Sequence, residues 1–72
     1  MTTGEQKLWR AVLEMAYADA ELPECNEQIA ARKYLRGDTP HEEGNLILVC
    51  EFADLPVDRV IPWARRRYPL AA

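Results

Sequence analysis

The side chains able to do covalent chemistry are few and badly spaced for it. There is one histidine, His41, and there are two cysteines, Cys25 and Cys50. A zinc site takes about four N, S or O ligands in a tetrahedral array. These three residues show no ligand spacing, so no metal is expected. Serine is absent from the chain, which removes the Ser-His-Asp hydrolases. A Cys–His pair would have to recruit Cys25 or Cys50, and Cys50 falls on an apolar stripe where a thiol is inert packing. Gly4, Gly37 and Gly44 are the only glycines, and no phosphate-cradling loop can be built from them. Glu42 and Glu43 are adjacent, but adjacent helical residues do not face one another, so they form no acid–base dyad. The chain reads as a non-enzyme that takes no cofactor.

Charge is the more informative property. Between Arg10 and Arg32 there is no base, while Glu14, Asp19, Glu21, Glu24 and Glu27 supply acids. Between Arg36 and Arg59 there is again no base, and Asp38, Glu42, Glu43, Glu51, Asp54 and Asp58 lie in that stretch. The bases gather as Lys7 with Arg10, as Arg32, Lys33 and Arg36, and as Arg59 with Arg65, Arg66 and Arg67. Acids at helix starts and bases at helix ends complement the helix dipole, which explains part of this layout. The sharper reading makes Asp38, Glu42, Glu43, Glu51, Asp54 and Asp58 an acidic face. Such a face steers toward a basic surface on a protein or nucleoprotein partner. An exposed Trp9, Trp63 or a tyrosine would anchor that contact, since aromatics dominate interface energetics.

The elements that must carry these groups are helices. Apolar residues at Leu8, Trp9, Val12, Leu13, Ala16 and Ala20 mark a helix over about residues 4–21. Thr2 or Thr3 can cap it, and Leu22-Pro23 ends it. A shorter second helix begins at an Asn26 cap and stops at Gly37, a residue suited to the left-handed position. Thr39-Pro40-His41-Glu42 is a strong start for a third helix, with threonine at N-cap, proline at N1 and glutamate at N3. Gly44 weakens its second turn, so a restart near Asn45 is one expectation. Leu55-Pro56 makes a turn, and a fourth helix spans about 57–67. Pro62 requires either a start near Arg59 or a bend. The expected core is Leu8, Val12, Leu13, Ile29, Tyr34, Leu35, Leu46, Val49, Phe52, Val60 and Trp63. The fold class is all-α, a compact bundle of three to four short helices forming a single domain over 1–72.

Size and composition agree with that. At 72 residues and 8.3 kDa there is chain for one domain. Hydrophobic content of 49% places it among globular rather than disordered sequences. The longest apolar run, Leu46 to Cys50, is far below the roughly 20 residues that span a bilayer. Met1 to Lys7 is polar and unlike a signal peptide. The chain is therefore expected to stay where it is made, with reduced cysteines, no membrane contact, and a monomeric or small homo-oligomeric state.

Residues 46–65, LILVCEFADLPVDRVIPWAR, can be laid on a helix-turn-helix frame. Cys50 is the small residue, Asp54-Leu55 the turn, and Val60 and Trp63 the anchors. In that frame Arg59, Arg65, Arg66 and Arg67 would contact phosphates. Asp58, Ile61 and Pro62 are poor groove readers, however, and consecutive arginines fan around a helix. The same region, with LWRAVLEMAYADA and ARKYLRGD, resembles a set of small phage and prophage proteins. Those share a similar N-terminal helix, an A-R-x-(aromatic)-L motif and a C-E-(hydrophobic)-A-G-L-D-P-(acid)-x-V block. This chain departs from the block at Asp54, where glycine is usual, and at Pro56-Val57, where the order is shifted. It also adds an acidic start to the third helix around His41 to Gly44. These departures weaken an inherited DNA-binding role. The resemblance implies a mobile-element setting in the cytoplasm of a bacterial host. By size and charge the chain is also similar to inhibitors of host defence such as anti-CRISPR proteins. The leading expectation is a non-enzymatic module that binds a basic surface of a host machine. The alternatives are a small helix-turn-helix DNA-binding regulator and a phage structural or assembly component.

Overall fold

The computed structural model describes residues 4–70. The expected caps Thr2 and Thr3 lie outside the described residues. Four helices follow in order, α1 (Gly4–Ala20), α2 (Asn26–Arg36), α3 (Pro40–Ala53) and α4 (Val57–Arg67). No strand occurs among the described residues. The molecule is an all-α bundle, and α1, α2 and α3 pack mutually while α4 lies mainly against α2.

Local chemistry explains most of the boundaries. Thr39 is the N-cap of α3, its Oγ1 accepting from Glu42 N–H at 3.3 Å, with Pro40 in the first turn. Gly37 closes α2 at φ 61°, where its N–H and that of Asp38 donate to the Tyr34 and Lys33 carbonyls. Asp54 closes α3 in the same way at φ 58°. Its N–H donates to Glu51 O and that of Leu55 to Cys50 O, at 3.2 and 2.9 Å. Aspartate tolerates this left-handed position better than most residues. It does here what glycine does at the end of α2.

Two local expectations need correction. Asn26 does not cap α2. Cys25 does, its Sγ accepting from Gln28 N–H at 3.4 Å. Helix α3 runs through Gly44 without a restart. Helix α4 spans Val57–Arg67 as expected rather than starting near Arg59, so Pro62 sits in its second turn and the Asp58 carbonyl loses its intrahelical donor.

The core is smaller than the pattern of large apolar residues suggests. Leu35, Leu46 and Val49 are buried as expected, and Leu13, Tyr34 and Val60 pack partly buried against the cluster that holds Leu35 and Leu46. Leu8, Val12, Ile29, Phe52 and Trp63 are instead exposed. Their places are taken by Ala20, Ala31, Ala53, Ala64, Cys50 and Tyr68. Small residues let short helices approach closely, and a globule of this size has too little interior to bury every large side chain. Phe52 stacks on Trp9 at 5.2 Å between ring centroids, so its exposed ring still has a partner.

Candidate protein-interaction surface

Arginines join the helix ends. Arg32 Nε donates to the Ala20 carbonyl at the end of α1, at 2.9 Å. Arg65 Nε donates to the Arg36 carbonyl at the end of α2, at 3.3 Å. Arg10 Nε donates to the Ala53 carbonyl at the end of α3, at 3.0 Å. Arg36 Nη1 donates to the Tyr68 carbonyl just past α4, at 3.0 Å. Last-turn carbonyls have no intrahelical donor and carry the negative end of the dipole. A guanidinium from another helix answers both needs. Arg32 and Arg36 therefore serve helices other than the one they end.

Two carboxylates are drawn into this framework. Asp38 receives Nε and Nη2 of Arg36, the closer contact at 2.7 Å, and both side chains are largely buried. The Arg36 hydrogen bonds hold the Asp38 carboxyl below its ordinary value. Glu21 Oε1 accepts from Arg67 Nη2 at 2.8 Å and from the Tyr68 hydroxyl at 3.0 Å. The Arg67 hydrogen bond is the main reason that Glu21, too, lies below its ordinary value. The Tyr68 ring is buried between the Arg32 guanidinium, 4.7 Å from its centroid, and the edge of Trp63 at 6.0 Å. Burial, followed by the Glu21 hydrogen bond, pushes the Tyr68 hydroxyl up.

These contacts divide the expected acidic face. Asp38 is neutralised by Arg36 and leaves it. Glu42 is half-buried, and its Oε2 is enclosed with no hydrogen-bond partner among the described residues. Glu43, Glu51, Asp54 and Asp58 are exposed. Glu43, Ile47 and Glu51 recur at i, i+4 and i+8, so they form one ridge along α3. Asp54 ends that helix and Asp58 lies in the first turn of α4. No ion pair engages any of these four carboxylates among the described residues. The ridge also carries an apolar element, since Ile47 is exposed between the two glutamates.

The expected nucleic-acid set is divided as well. Arg59, Arg65, Arg66 and Arg67 are all exposed. Arg65 and Arg67 are nevertheless held by Arg36 O and Glu21. Arg59 and Arg66 are seven residues apart, hence on one side of α4, and neither has a partner among the described residues. Trp63 is not a helix-turn-helix anchor. It is exposed and touches Tyr17 and Tyr68.

Both cysteines are free, Cys25 half-buried and Cys50 buried. Burial pushes the Cys50 thiol up, which suits a packing role. Among the described residues, no three His, Cys, Asp or Glu side chains are placed to hold a metal ion. No helix among them is long and apolar enough to cross a membrane. Sequence reasoning missed the arginine–carbonyl contacts because they join residues up to 43 positions apart. No protein family, curated protein or solved structure matches this chain.

Proposed function

We propose that this is a non-enzymatic interaction module that docks its acidic ridge on a basic surface of a host protein or nucleoprotein machine. One observation carries the reading: the arginines are largely spent on helix ends, and the carboxylates largely are not. Arg10, Arg32, Arg36, Arg65 and Arg67 have internal acceptors. Glu43, Glu51, Asp54 and Asp58 are left to solvent. The field over α3 and the start of α4 is therefore negative, in a molecule whose net charge is -3. Such a field selects basic partners and speeds their capture. The resemblance to small phage and prophage proteins supplies the setting, a bacterial host cytoplasm. Inhibition of a host defence machine, in the manner of anti-CRISPR proteins, is the concrete form of the activity.

The test is affinity capture from bacterial lysate with the wild type and with Glu43, Glu51, Asp54 and Asp58 reversed to lysine. Glu42 is left alone because its side chain is half-buried. A partner retained by the wild type, released by salt and lost by the reversed variant supports the reading. Equal capture by both proteins overturns it. The DNA-binding alternative rests on Arg59 and Arg66, which share a side of α4 beside exposed Trp63. It requires a duplex shift at low salt that weakens steeply as salt is added.

A further inference from the structure

A second surface lies away from the acidic ridge. Between α1 and α2 runs an open groove of about 460 Å³. Its floor is Val12, Met15 and Ala16 from α1 and Ala30, Ala31 and Tyr34 from α2. The two helices contribute in the same register, i, i+3, i+4 and i+7, starting from Val12 on one and Glu27 on the other. Met15 is 69% exposed and Val12 39%. Two packed helices with an apolar seam left open on one side form an incomplete three-helix layer. Alanines along the seam would let a third helix approach to the usual interaxial distance of about 8–10 Å.

Charge selects the occupant. The charged side chains among the described lining residues are Asp19 and Glu27, and both are acidic. Asp19 is in the last turn of α1, where a carboxylate opposes the helix dipole. No side chain among the described residues pairs with it. Helix chemistry accounts for Glu27 in the first turn of α2 but not for Asp19. A second copy of this chain would offer the same groove, whose charged lining residues are again acidic, and so no base to pair with these carboxylates.

We infer that the α1–α2 groove receives an amphipathic helix of a partner protein, its apolar stripe on Met15 and the alanines, and its lysines or arginines on Asp19 and Glu27. This is the helix-in-groove mode of peptide recognition. It is independent of the acidic ridge on α3.

The probe is a synthetic helix of about 16 residues, with leucines at i, i+3, i+4 and i+7 and lysines flanking them. A counterpart carries glutamates in place of the lysines. Binding is followed by calorimetry and by the Met15 methyl resonance of the full chain. The lysine peptide is expected to bind and to shift that resonance. Asp19→Lys with Glu27→Lys should weaken it by about tenfold or more. Met15→Glu should also weaken it, with helicity and Tm retained in both variants. Reversing Glu51, Asp54 and Asp58 should leave the Met15 shift intact, which separates this surface from the ridge. Equal binding of the glutamate peptide would overturn the proposal. So would no binding up to about 1 mM, a range that covers weak complexes. A concentration-dependent dimer abolished by Met15→Glu would assign the groove to a second copy instead.

Discussion

Cys25 shows how much one side chain can be misjudged from its type. As a thiol it invites redox or metal chemistry, yet it stands at the N-cap of α2 and accepts from Gln28 N–H. Sulfur is a weak acceptor. A hydroxyl in the same place is a preferred cap. Cys25→Ser should therefore stabilise the fold by about 0.5–1 kcal/mol, seen as a higher urea midpoint. Cys25→Ala should give no such gain. Asn26, the residue expected from type alone, is displaced by one position. A capping role depends on the backbone turning at that residue, which composition does not report.

At the scale of elements, the helices are joined through their ends as much as through their sides. Arg32 donates to the end of α1 and also lies over the Tyr68 ring. Removing it strands a helix-end carbonyl and uncovers an aromatic face. Arg32→Ala should cost about 1–3 kcal/mol in denaturant unfolding, the range for a lost charge-assisted hydrogen bond. Arg66→Ala, on α4 with no partner among the described residues, should stay within about 0.5 kcal/mol of the wild type. Equal effects from the two would mean that the end contacts are not what holds the helices. The element boundaries were legible from Leu22-Pro23, Gly37, Thr39-Pro40 and Leu55-Pro56. Each acts on its own backbone within a few residues. The partner of each helix end was not legible, because it comes from a different helix.

For the whole molecule, α4 is tied down by two carboxylates. Glu21 holds Arg67 and Tyr68, and Asp38 orients the Arg36 that reaches Tyr68 O. Both carboxyls lie below their ordinary values in the folded state. A lowered folded value means that the unfolded chain takes up protons first as pH falls. Their stabilisation is thus complete above the ordinary carboxylate range and is lost as pH drops through the lowered folded values. Tm should fall between about pH 5 and pH 2, and fall less steeply in Glu21→Gln with Asp38→Asn. The slope is measured by circular dichroism at fixed ionic strength. Identical slopes would show that other groups govern acid unfolding. At this scale the candidate site was half legible. The charge segregation pointed to Glu43, Glu51, Asp54 and Asp58 correctly as exposed acids, but it also counted Asp38 and Glu42.

The amino-acid sequence by itself determined the class and most of the segmentation: helices only, three to four of them, with a stop at Gly37 and a turn at Leu55-Pro56. Those features follow from local backbone sterics and capping, which operate over a turn or less. Only the tertiary structure decided which apolar residues are covered, which charges are spent and where the surface remains open. Tyr68 became core and Trp63 did not, because burial depends on how short helices cross. Arg36 removed Asp38 from the acidic face by closing on it while reaching across to Tyr68. The groove beside Met15 is open because Ala16, Ala30 and Ala31, which line it between α1 and α2, are too small to fill it.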